Sequence, residues 1–236
     1  MIPSLDINKY DNRKSFIKLL KVYDMNDSKF FWDYVFAEVL YFTENKNREV
    51  IEVHLCRLNA KPAKKTVFKG YADYNPQGVI HKVSITNDSL IINDTSYRGK
   101  RLGSWAMNQI VKWAKYWPQA DLNIIKLSEV DADNKERRNK FYENFGINFN
   151  YNYPLKESGR SYPMKCLSLK THEHWNIMQG GNIEELFLDV FIEKNFSEMK
   201  LLRKRNRDLK QQILKLRTTF FKKAIRSLKK KLTKKY

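Results

Sequence analysis

Cysteine is nearly absent from these 236 residues: only Cys56 and Cys166 occur. Two cysteines are too few for a disulfide framework or a Cys-rich zinc site, so a reducing, cytoplasmic setting is the default. No apolar run reaches the roughly 18 residues a transmembrane helix requires. The opening Met1-Ile-Pro-Ser-Leu-Asp-Ile-Asn has no basic segment ahead of an apolar stretch, which argues against a secretory signal. No internal repeat is present, which removes solenoids and propellers. Acidic residues nearly vanish at one end. Residues 200–236 carry sixteen Lys or Arg against one acid, Asp208. The preceding 199 residues hold 29 basic and 25 acidic groups, so the formal charge of +19 sits mostly in a C-terminal appendage. A polyanionic partner would meet that end first.

What is present is a packed-core composition, with 42% apolar and 14% aromatic residues. The spacing of apolar residues predicts a helix over 15–23 capped by Ser15. A second, aromatic helix over 29–42 follows, buried on several sides. Residues 45–48 read as a polar break. Branched residues predict strands over Glu49–Leu58, Thr66–Tyr74 and Gly78–Thr86, the last two joined by a turn at Asn75-Pro-Gln-Gly. A short strand Leu90–Asp94 leads into a helix over 102–117. A strand Leu122–Val130, a helix Asp133–Phe145 ended by Gly146, and a strand pair Ile147–Tyr153 and Tyr162–Leu169 complete a mixed α/β layout.

Chemistry concentrates in Asp94-Thr-Ser-Tyr-Arg-Gly-Lys-Arg-Leu-Gly-Ser104, which runs from a strand into an amphipathic helix. Unpaired N–H groups at a helix start suit a phosphate. Gly99 and Gly103 permit a tight turn and close approach, and Arg98, Lys100 and Arg101 add positive charge. An ordinary basic loop is the alternative. A second segment, Asp131–Ile147, begins after a strand. In it Asp133 and Glu136 have capping-box spacing, Asn134 opens the helix, and Phe141 and Phe145 share one face.

Together these segments resemble the GNAT superfamily of acyl-CoA-dependent N-acetyltransferases. Arg98 and Gly103 take the first and last places of its pattern (Gln or Arg)-x-x-Gly-x-(Gly or Ala). Asn134 and Phe141-Tyr-Glu143 with Gly146 match its second helix, where Ile147 replaces the usual Phe. The likeness is clear over about residues 85–150 and extends by strand order over about 10–170. It implies a mixed central sheet with two splayed parallel strands, Leu90–Asp94 and Leu122–Val130, flanked by helices. It further implies acetyl-CoA held by Asp94, Thr95, Arg98, Gly99, Lys100, Arg101, Leu102, Gly103, Ser104 and Asn134, with Tyr142 as general acid and no metal. Arg101 departs from the pattern, standing where the family has its middle Gly. We expect it to keep negative φ, with its guanidinium beside the pyrophosphate. The base is not legible: Asp88, Asp94, Glu129 and His81 are candidates, as is ordered water.

The implied function is acetyl transfer to an amine acceptor by direct attack. Two alternatives stay open: a GNAT-fold binding protein without catalysis that associates with nucleic acid, and an acyltransferase acting on a nucleobase. His172 and His174 lack further ligands at recognisable spacing, and Cys166 reads as a buried small hydrophobe.

The chain divides into a GNAT-like domain over 1–170, a linker and short helix over 171–195, and a basic amphipathic arm over 196–236. In the arm Met199, Leu202, Asn206, Leu209, Ile213, Leu216 and Phe220 form a heptad seam of about three repeats, after which Phe221, Ile225, Leu228 and Leu232 make a later stripe. Arg203, Arg205, Lys210 and Arg217 lie beside the seam, which disfavours a homodimeric parallel coil unless an anion intervenes. The other readings are packing on the chain's own body, or lying on a nucleic acid, ribonucleoprotein or anionic membrane.

Overall fold

A computed structural model describes residues 13–24, 30–45, 47–58, 66–85, 97–129 and 134–232, with side chains to Thr218 in the last segment. The chain forms two compact units, Met1–Leu186 and Phe187–Tyr236. Among the described residues no helix is long and apolar enough to cross a membrane.

The first unit is α/β and is built on a mixed seven-stranded sheet. Five antiparallel strands follow in order: β1 (Lys14–Tyr23), β2 (Phe31–Glu44), β3 (Arg48–Arg57), β4 (Thr66–Tyr74) and β5 (Ile80–Ser84). Helix α1 (Leu102–Ala114) then crosses over to β6 (Asp121–Leu122), which pairs in parallel with β5 through Lys82↔Asp121 and Val83↔Leu122. A three-stranded sheet holds β7 (Lys126–Leu127), β8 (Phe149–Tyr151) and β9 (Gly159–Ser161), with α2 (Lys135–Asn144) between β7 and β8. The chain returns at β10 (Ile183–Leu186), which adds to the free edge of β1.

Local chemistry explains the turns. Asn75 Oδ1 accepts the N–H groups of Gln77 and Val79 at 3.0 and 2.9 Å, and Gly78 takes φ 74°. This is the hairpin expected from Asn-Pro-Gln-Gly. Gly146 ends α2 with φ 81°, donating to Glu143 O at 2.9 Å. Trp105, Ile110, Val111 and Trp113 of α1 pack into the main core with Ile51, Val53 and Phe68 of the sheet. The approach is close at Gly70. A Cβ there would stand 2.9 Å from Ile51 Cγ2 and 3.0 Å from Ile110 Cγ2.

Several expectations are corrected. Residues 15–23 and 29–42, read as helices, lie in β1 and β2. Both runs are apolar at nearly every position, a pattern shared by a helix buried all round and a strand covered on both faces. In β2, Val35, Ala37 and Val39 are buried on one face and Leu40 and Phe42 on the other. The β-branched and aromatic content of Trp-Asp-Tyr-Val-Phe favours the strand. Leu122–Val130 breaks into β6 and β7, because Asn123 donates its N–H to Val83 O while Ile125 turns to Ser161 Oγ at 3.0 Å. The parallel partner of Leu122 is Val83, and the expected strand Leu90–Asp94 lies outside the described residues. Tyr162–Leu169 is not a strand. Pro163 cannot donate to a ladder, and Cys166–Ser168 forms a 3-10 turn. The segment 171–195 is not a linker with a short helix, since Ile183–Leu186 is a sheet strand and helix α3 (Leu188–Leu232) starts at once after it. Residues 196–232 are helical, as their periodicity predicts.

Candidate acyl-donor site at the start of α1

Tyr97 to Ser104 form a short loop that passes into α1. Tyr97 anchors it, buried with its ring edge-on to Trp32 at 6.1 Å. The N–H of Lys100 closes a turn onto Tyr97 O at 3.2 Å. Gly99 has φ 76° and nothing within 4 Å of where a Cβ would lie, so the backbone there is open to a ligand. Trp105 donates to Arg101 O at 3.0 Å, which leaves the N–H groups of Leu102, Gly103 and Ser104 in the helix's first turn without intrahelical acceptors. Leu102 is buried, while Gly103 and Ser104 are half-buried.

The three cations of this loop differ. Arg98 is exposed. Lys100 points back into the fold, with its Nζ 3.0 Å from Asp24 Oδ2 and 5.4 Å from the centroid of the Trp32 ring. Arg57 stacks on the same indole at 4.6 Å and donates through Nε to the buried Asp33 at 2.6 Å.

Arg101 corrects the expectation of negative φ. It is the N-cap of α1 in the left-handed region, at φ 57° and ψ 9°. Its Nη1 donates to His174 O and to Gly180 O, the latter at 3.1 Å. The guanidinium therefore fastens the segment leading into β10. Two charge-assisted hydrogen bonds offset the steric cost of a non-glycine residue at positive φ. Asn182 completes the strap through Nδ2, which donates to Tyr23 O at 2.9 Å and Lys100 O at 3.4 Å. Gly181 lies so close to Trp175 that a Cβ would stand 2.1 Å from its carbonyl oxygen. Asp24, Trp32, Asp33, Arg57 and Asn182 carry no motif. They converge on the loop from remote parts of the chain, and only the folded sheet brings them together.

The second motif lies on α2. Asn134 is its exposed N-cap, and Asp133, Asp94 and Thr95 lie outside the described residues. Tyr142 is 7% exposed, its ring 5.3 Å from Phe141 and 5.5 Å from Phe149. Of the candidate bases, Asp88 also falls outside the described residues. Glu129 accepts the Ser158 hydroxyl at 3.0 Å, and His81 lies 3.1 Å from Asp73 O through Nδ1.

The rings of His172 and His174 stand 4.6 Å apart. Burial, His174 and Arg101 together lower the His172 pKa from its usual value. Among the described residues no group of three or more His, Cys, Asp or Glu could hold a metal ion. Burial pushes the Cys166 thiol up to about 11, so it stays protonated and unreactive at neutral pH.

No family model, curated protein or solved structure matches the chain.

Proposed function

We propose that the chain is an N-acetyltransferase that takes an acetyl group from acetyl-CoA and passes it to an amine, in a reducing cytoplasmic setting, on a GNAT-type fold. The observation that carries this reading is the opening of α1. A left-handed Gly99 with open space over its Cα, an exposed Arg98 and the free first-turn N–H groups of Leu102 to Ser104 lie on one short loop. That loop enters a helix that crosses to a strand parallel to β5, and the chain leaves the large sheet just after Leu122. Such a loop binds a pyrophosphate through backbone donors and one mobile cation.

The donor supplies an activated thioester carbonyl. The acceptor nitrogen forms the C–N bond as the C–S bond breaks, and the nitrogen loses a proton to water or a carboxylate. Tyr142, whose phenol is protonated at neutral pH by its ordinary pKa near ~10, delivers a proton to the leaving sulfur. The 200–236 arm recruits a polyanionic acceptor or carrier.

Calorimetric titration of CoA, followed by thiol-release assays over a panel of amines, tests the proposal. CoA should bind, Arg98→Ala should weaken it, and Tyr142→Phe should slow thiol release by about 100-fold or more. Absence of any heat with CoA would sink the reading. A second reading, a GNAT-type binding protein without catalysis, draws on one specific observation. Lys100 and Arg101 are committed to protein partners, and Tyr142 is packed among aromatic rings. CoA binding without thiol release for any amine would favour it.

A further inference from the structure

Helix α3 begins at Leu188, well upstream of the expected arm, and runs unbroken for 45 residues. Its continuity extends the heptad seam toward the N-terminus. Leu188, Ile192, Asn195, Met199, Leu202, Asn206, Leu209, Ile213 and Leu216 alternate spacings of four and three, covering about 42 Å of helix. Met199, Leu202, Leu209, Ile213 and Leu216 are between 44% and 69% exposed, a continuous apolar stripe that a lone helix leaves in water.

We propose that α3 is one strand of a parallel, in-register two-stranded coiled coil formed with a second copy of this chain. The inference rests on the helix alone and is independent of the acetyltransferase reading. The two asparagines in the seam select the occupant. In the parallel, in-register arrangement, Asn195 faces Asn195 of the second copy and Asn206 faces Asn206, so each amide finds a hydrogen-bonding mate in the seam. An antiparallel arrangement centred on the same seam sets Asn206 against Leu202 and Asn195 against Ile213, burying both amides opposite apolar groups. In the lone helix Asn195 Nδ2 folds back to donate to Phe191 O at 2.7 Å.

The flanking positions meet across a parallel pair with an offset of five residues. Phe191 then meets Phe196, and Glu198 meets Arg203 with opposite charge. Arg205 meets Lys210, the one repulsive contact, and Gln212 meets Arg217. The like charges that spoke against a homodimer belong to the C-terminal half of the seam. The newly included N-terminal half supplies an apolar pair and an opposite-charge pair at every flank.

Sedimentation of the full chain at micromolar concentration should give a dimer. Leu209→Asp should weaken it on the order of 100-fold or more, since both copies lose a buried leucine. Glu198→Arg should also weaken dimerisation, and the double variant Glu198→Arg/Arg203→Glu should restore it. Neither substitution touches the sheet unit. In a Cys56→Ser background, Asn206→Cys should form an intermolecular disulfide under mild oxidation, because identical positions face each other at the seam; Cys166 is buried and does not compete. A monomer at every concentration, a trimer or larger species, or a dimer in which the Asn206→Cys variant fails to cross-link would each overturn the proposal.

Discussion

Replacing Arg101 separates the two roles that one side chain carries. The backbone at this position is left-handed, at φ 57°, which costs a non-glycine residue about 1–2 kcal/mol relative to ordinary helical geometry. The guanidinium repays that cost by donating to the carbonyls of His174 and Gly180. Hydrogen bonds from a charged donor contribute about 1.5–3 kcal/mol each when buried, and about 1 kcal/mol each is appropriate for this partly exposed pair. Arg101→Ala keeps the strain and loses both bonds, so it should destabilise the folded chain by about 2 kcal/mol. Arg101→Gly loses the bonds but releases the strain. Allowing about 0.5–1 kcal/mol for glycine's greater freedom in the unfolded chain, it should be more stable than the alanine variant by about 0.5–1 kcal/mol. Urea unfolding of the three proteins measures both differences. CoA titration supplies an independent arm: with the guanidinium tied to the strap, Arg101→Gly should change affinity by less than about threefold. A glycine variant less stable than the alanine variant would refute the strain argument. A loss of CoA affinity of about tenfold or more would show the guanidinium to be a phosphate ligand instead.

Gly70→Ala should destabilise by about 1–3 kcal/mol, read by thermal or urea unfolding, because its methyl meets Ile51, Ile110 and Trp113 where α1 lies on the sheet. Gly181→Ala should be worse, since Trp175 backbone blocks the methyl, and protease susceptibility of the segment before β10 should rise. Burial alone would raise the Glu52 pKa, but hydrogen bonds from His54 and Lys69 outweigh it and bring the pKa to about 2. A carboxylate held below its unfolded value contributes stability above about pH 4.5 that fades as pH falls toward 2, and Glu52→Gln should remove that part of the acid dependence. The lowered His172 pKa has the same sense: its contribution is complete above about pH 6.5 and shrinks as pH drops through the folded value, which His172→Asn should flatten. Removing residues 197–236 should leave CoA titration unchanged while weakening retention on a polyanion column. Loss of both would show the arm to be part of the first unit's fold.

Elements whose apolar pattern has one period and one meaning were already written in the order of residues. Strands β3 to β5 with the Asn75 turn, helices α1 and α2 with the Gly146 stop, and the long basic helix all follow from spacing and turn chemistry. The Tyr97–Ser104 loop was equally legible, because glycine and cations before an amphipathic helix are local features. Other features came into being only with the assembled fold. β1 and β2 are strands because the sheet covers both of their faces, a condition their near-continuous apolar runs do not distinguish from burial of a helix all round. β10 exists because the edge of β1 was open to it, and a sheet edge is a property of the assembled fold. Arg101 is the sharpest case. Its side chain is held by carbonyls more than seventy positions away, so no local rule reaches the left-handed backbone it adopts.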